Sequence, residues 1–112
     1  MPWLLRDGDV VASLEVASTM RARRRGLLGR PGFEGAILLD KARSIHTLAM
    51  RFPIDVAYCS RDADGALVVV DTATMPPWRV GWPRFNARCV IEAEAAAFER
   101  WELRVGDVLT IK

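Results

Sequence analysis

The chain holds one histidine, His46, and nine residues further on an aspartate, Asp55, both inside the largely apolar stretch SIHTLAMRFPIDV at 44–56. An imidazole oriented by a carboxylate is the pair that general-base catalysis uses. A hydrolase-like enzyme built on His46 and Asp55 would also need a nucleophile or a substrate-binding donor, and Ser44 and Thr47 lie nearest in sequence. Neither sits in a GxSxG elbow, so the pair points only faintly to catalysis. With no P-loop or dinucleotide fingerprint present, no cofactor is expected. One histidine and two cysteines, Cys59 and Cys89, without a CxxC, cannot complete the usual zinc sets, and no metal is expected. Both cysteines lie in apolar runs and read as reduced core thiols. A disulfide between them would require neighbouring strands of suitable geometry.

A second polar set is made of arginines and carboxylates. Arg23 and Arg24 fall on or beside the apolar face that Met20 and Leu27 would form on a helix. Arg30 follows that helix, and Arg43 precedes His46. Asp55 in PIDVAYCS and Glu92 in CVIEA both sit in runs that are apolar on either face of a strand. An ionised carboxylate is costly in such a place without a partner. Asp55 and Glu92 are therefore expected to pair with one or two of these arginines, tying helix to sheet. The guanidinium fork suits that task because it meets a carboxylate with two bonds at once.

The third set is MPPWRVGWPRFNAR at 75–88, which places Trp78, Trp82 and Phe85 beside Arg79, Arg84 and Arg88. Trp and Arg are enriched at the energetic centres of protein interfaces. Interleaved aromatics and arginines also suit stacking on single-stranded bases, or the rings could fold back as a lid. A net charge of +2 is too small to indicate nucleic acid. A protein or peptide partner is the expectation for this loop. His46 is expected to be packed, with one edge towards solvent.

These side chains need elements to hold them. A chain of 112 residues suggests a single domain over 1–112, and its four Trp and moderate charge argue against disorder. Asp7-Gly8 between two apolar runs signals a hairpin. The even positions Val10, Ala12, Leu14 and Val16 are the expected buried face of its second strand. Ser18 can cap a helix over 19–28 that stops at Gly29 and Pro31. Strands are expected over 36–39, 45–50, 53–60 and 66–72, then after the proline-stiffened 75–88 loop over 87–93. A short helix within 94–103 and a last strand close the chain. That order predicts an α+β domain, mostly β: a compact, antiparallel, barrel-like sheet with one or two short helices packed on it. The N-terminal residues have no basic leader and apolar core, and no apolar run nears the ~20 residues that span a bilayer. A soluble, cytoplasmic protein without membrane contact is the expectation.

Several local words occur in a fixed order: GLLGR at 26–30, GAILL at 35–39, PID at 53–55, Pro76, VIE at 90–92 and VGD at 105–107. Together they resemble the bacterial and archaeal family called domain of unknown function 192, over about residues 10–112. The resemblance implies a compact β-rich fold with a helix packed on it and no established activity. It carries over Arg23, Gly26, Leu27, Arg30, Pro53, Asp55, Glu92, Gly106 and Asp107. It also implies two departures, since His46 stands where the family usually has Trp, and Ala49 where it usually has Asn. The functional expectation is a non-catalytic binding or accessory module for a protein partner or small ligand. Its candidate binding residues are Arg23, Arg30, His46, Asp55, Glu92, Trp78, Arg79 and Trp82. The alternative is the His46–Asp55 hydrolase.

Overall fold

A computed structural model describes residues 2–112, apart from the side chain of Arg24. The elements in chain order are β1 (Trp3–Arg6), β2 (Asp9–Ala17), α1 (Met20–Arg25), β3 (Ala36–Asp40), β4 (Ile54–Arg61), β5 (Leu67–Met75), β6 (Cys89–Glu94), α2 (Ala97–Arg100) and β7 (Val108–Ile111). The seven strands close into a barrel in the order β1-β2-β3-β6-β4-β5-β7, with β7 pairing back onto β1. Every pairing is antiparallel except β2 with β3. That exception follows from α1, which carries the chain from β2 back to start β3 in the same direction. The barrel is therefore mixed.

Local chemistry explains the ends of the elements. Asp7 and Gly8 both have positive φ, 54° and 82°, as the tight turn matching strand twist requires. The cap of α1 is Thr19, whose Oγ1 accepts a bond from Ala22 N at 3.0 Å, and not Ser18. The helix stops at Gly26, with φ 46°, so it is shorter than its apolar spacing suggests. The 45–50 run forms no strand: only His46 makes an isolated bridge, to Val80. The apolar residues there, Ile45 and Met50, are buried from an irregular segment. In β2 only Leu14 of the four even positions is buried. A register shift that leaves Val11 unpaired against β1 breaks the simple alternation.

Alternation along β3, β4 and β6 splits the apolar residues into two cores. Ala36 and Leu38, Ala57 and Cys59, and Cys89, Ile91 and Ala93 share a cluster with Leu4, Leu14, Leu67, Val69 and Leu109. Since all seven strands contribute, this is the barrel interior, and Ala97 and Phe98 of α2 pack into it. The alternate residues Ile37 and Leu39, Ile54, Val56 and Tyr58, and Val90 face outwards. They form a second core with Leu27 after α1, Ile45, Met50 and Phe52 of the 41–53 segment, and Met75 and Ala87 at the ends of the 76–88 loop. The three central strands are thus covered on both sides. Cys59 and Cys89 are directly opposed across β4 and β6, fully buried and unbridged. Hydrogen bonding with Cys89, and then burial, push the Cys59 thiol up.

Candidate functional site

Asp55 faces the interior core. Its Oδ1 accepts from Thr74 Oγ1 at 2.8 Å and its Oδ2 from the Phe98 backbone N–H at 3.1 Å. It anchors the start of α2 to β4 and β5, satisfying one N–H that the short helix leaves open. Glu92 lies beyond it on β6, where Ala93 is the direct partner of Asp55 and Glu92 is the partner of Val56. Successive residues face opposite sides of a sheet, so Glu92 points into the outer core. The two carboxylates thus face opposite sides of the sheet.

Among the described side chains the expected arginine pairing with Asp55 and Glu92 does not form. Arg30 makes a two-bond contact with Glu15, at 3.2 and 2.7 Å, and lies 5.1 Å from the Phe33 ring centre. Arg23 turns back along α1 to donate to Ser18 O at 2.7 Å. The side chain of Arg24 lies outside the described residues. Among the described side chains, none makes a hydrogen bond or ion pair with Glu92. Its residue is 4% exposed, and burial pushes its pKa up from 4.5 to about 7.

Glu92 borders a cavity of about 210 Å³ between the end of α1, β3 and the 42–50 segment. Gly26 forms its roof: a Cβ there would stand 3.3 Å from Glu92 Oε1. Leu27, Leu39, Ile45 and Met50 give the cavity apolar walls, while Arg23, Arg25, Ser44 and His46 also line it. His46 is exposed and not packed as expected; its Nδ1 accepts from Leu48 N at 3.3 Å. It shares this cavity with Glu92, whereas Asp55 borders a different one with Thr72, Thr74 and Phe98. The His46–Asp55 dyad is therefore not assembled. Both Asp55 oxygens are already engaged, and the two residues border separate spaces. Ser44, His46 and Glu92 share one cavity, but among the described residues no hydrogen bond joins them.

The 76–88 loop is irregular, as its prolines require, yet it is firmly held. Thr47, fully buried, donates from Oγ1 to Pro76 O at 2.6 Å and accepts there from Arg79 N at 2.9 Å. Its backbone bonds Arg79 O and Trp78 N, and further along Gly81 N reaches Ile45 O and Arg84 N reaches Arg43 O. Gly81 must be small, since a Cβ would meet Ile45 O at 3.1 Å and Tyr58 Oη at 3.2 Å. Arg84 lies 4.2 Å from the Tyr58 ring centre and pairs with Asp71 at 2.9 Å. The loop folds onto the barrel through its backbone and Arg84, and its rings point away. Trp78 is 64%, Trp82 83% and Phe85 76% exposed. Arg79 and Arg88 beside them are exposed too. Thr47, which clasps the two segments, is the residue sequence reasoning undervalued; its signal was a polar side chain within a largely apolar stretch.

The closed mixed barrel has solved counterparts. A Novosphingobium aromaticivorans protein of unknown function is similar to 88% of this chain and 74% of its own, with a TM-score of 0.72 at 17% identity. A Sinorhizobium meliloti protein, provisionally described as a transcription regulator, matches 97% of this chain and 90% of its own, with a TM-score of 0.77 at 18% identity. At such identities these show the fold. The family model DUF192, described as an uncharacterised ACR, matches residues 4–111, and the chain belongs to that family. The UPF0127 protein PF1050 of Pyrococcus furiosus is 33% identical over 66 residues, which are 59% of this chain and 53% of that one. The chain thus spans about half the length of this curated relative. Among the described residues no helix is long and apolar enough to cross a membrane.

Proposed function

We propose that the protein is a non-catalytic binding module that docks an acidic, apolar-faced protein segment on the 76–88 loop. The observation that carries this reading is the exposure of Trp78, Trp82 and Phe85 on a backbone clamped by Thr47, Ile45 and Arg43. Large rings are left in water on a loop whose main chain is already ordered. Such a surface binds with little further loss of conformational freedom, and Trp with Arg is the composition of interface centres. Charge gives the partner its sign. No acidic residue occurs between Asp71 and Glu92, while Arg79, Arg84 and Arg88 do. Asp71 neutralises Arg84, which leaves Arg79 and Arg88 to meet carboxylates.

The test is selection of binders from a displayed random-peptide library. The expected result is a set of peptides with apolar and acidic residues, whose affinity falls at least tenfold in Trp82→Ala and Trp78→Ala. The melting temperature of both variants should stay close to that of the parent. Binders indifferent to both substitutions would sink the proposal. So would an oligothymidylate strand that binds better than any peptide and is lost steeply between low and moderate salt, the signature of phosphate contacts.

A further inference from the structure

Glu92 presents a different problem from the exposed rings. A buried carboxyl normally has hydrogen-bond partners, because an unpaired charge in an apolar setting is expensive. Here Val56 and Ile37 flank it across the strands, and Gly26 stands where any side chain would press on Oε1. Space is kept open next to an acid that no described side chain satisfies. Concave sites with apolar walls and a few convergent polar groups, one of them strongly perturbed, are where small ligands bind.

The charges in and around the cavity run in a definite direction. Glu92 lines it as a buried carboxyl. From α1 it is lined by Arg23, partly exposed, and Arg25, exposed, and a guanidinium has five donors, of which Arg23 spends one on Ser18 O. His46 lines the cavity from the 42–50 segment, and from β4 the Tyr58 hydroxyl lies near enough to feel Glu92. A simple carboxylate entering this space would meet Glu92, and a simple cation would have to pass the arginines. A molecule with a positive head and a negative tail fits both. Its body must be apolar, to suit Leu27, Leu39, Ile45 and Met50, and compact, since 210 Å³ holds about seven waters at ~30 Å³ each.

We propose that this cavity binds a small zwitterionic amine of free-amino-acid size, with its ammonium on Glu92 and its carboxylate towards the guanidiniums of α1. Free leucine is the probe, with 3-methylbutylamine, which lacks the carboxylate, and 4-methylpentanoate, which lacks the amine. Leucine should bind at millimolar concentration in calorimetry, and the two truncated analogues at least tenfold more weakly. Binding requires Glu92 ionised. With a carboxyl that titrates at about 7, the ionised fraction rises from about a tenth at pH 6 to about nine-tenths at pH 8. Leucine affinity should therefore rise about tenfold over that interval in wild type and lose both strength and pH dependence in Glu92→Gln. The carboxyl carbon of Glu92 is followed directly by NMR in the wild-type protein, so that the readout belongs to this one group. Saturating leucine should move its titration to lower pH. The proposal is overturned if leucine fails to bind, if either analogue binds as well, or if the Glu92 midpoint ignores leucine.

Discussion

The two sides of the β3–β6–β4 sheet are built from the same strands yet behave differently. On the inner side the one buried acid, Asp55, is bonded by Thr74 and by the Phe98 N–H. On the outer side Glu92 has no partner among the described side chains, and the Tyr58 hydroxyl is the buried side-chain polar atom left unsatisfied there. The outer layer also consists of one short helix and two irregular segments rather than closed strands. Polar groups inside a closed core are retained where they hold elements together. In the outer layer Glu92 stands next to a cavity, and burial has shifted the titration of both Glu92 and Tyr58 upwards. The inner side is scaffold, and the outer side is where the ligand proposed above would sit.

Substitutions can break this contrast or sharpen it. The largest effect is expected from Ile91→Ala, because Ile91 is fully buried inside the barrel. It should lower unfolding free energy by about 4 kcal/mol through lost transfer energy and an unfilled cavity. A urea midpoint near that of wild type would show that the interior is not the principal core.

Glu92 should act with the opposite sign. Its pKa is raised on folding from 4.5 to about 7, so folding favours the protonated form. The stability this contributes is complete below about pH 4.5 and is lost as pH rises through about 7, a total of about 3 kcal/mol. Glu92→Gln should therefore be more stable than wild type at pH 8, by up to that amount, with the gap closing towards pH 4.5. Melting curves at the two pH values check this. A variant less stable than wild type at pH 8 would mean that the ionised carboxylate has a structural partner.

Asp55→Ala should cost about 2 kcal/mol, since it strands the buried Phe98 N–H and removes the bond from Thr74. Hydrogen exchange in α2 should rise with it; unchanged protection there would remove the anchoring role. The smallest effect expected is a gain. Ala49 has φ 63°, a left-handed conformation that asparagine or glycine adopts more readily than alanine. Ala49→Asn should raise stability by about 0.5 kcal/mol, read from the same urea curves.

That last position shows what was legible in the sequence. The family resemblance pointed out Ala49 as a departure, but only the backbone angle gives the reason. The barrel-like, mostly antiparallel sheet could be read from turn residues and strand runs such as Asp7-Gly8 and PIDVAYCS. The parallel β2–β3 pair could not, because direction depends on where α1 returns the chain. The rings of the 75–88 loop and the odd position of Glu92 were visible as types. Their surroundings were not, since a buried acid asks for a partner and the sequence does not say whether one arrives. The arginines chose nearer company, Arg30 with Glu15 and Arg23 with Ser18. The 45–50 segment misled because buried residues at alternating positions also suit a segment held by hydrogen bonds to a loop, as Thr47 shows.

The closure of the barrel sets a rule for how this molecule can be recognised. A sheet that ends in free strands offers a row of unused N–H and C=O groups, and many peptide-binding modules add an incoming strand there. With β7 paired to β1 at Leu109, Thr110 and Ile111 and to β5 at Leu67 and Val68, every one of the seven strands has a neighbour on each side. A visiting strand, whether a partner peptide or another copy of the chain beginning a fibre, finds no strand open along a whole side; the stretch that β7 leaves uncovered is the later part of β5. Recognition on the 76–88 surface proposed above would rest on side chains, so its specificity should be rewritten by changing a handful of residues there while the ring beneath stays as it is.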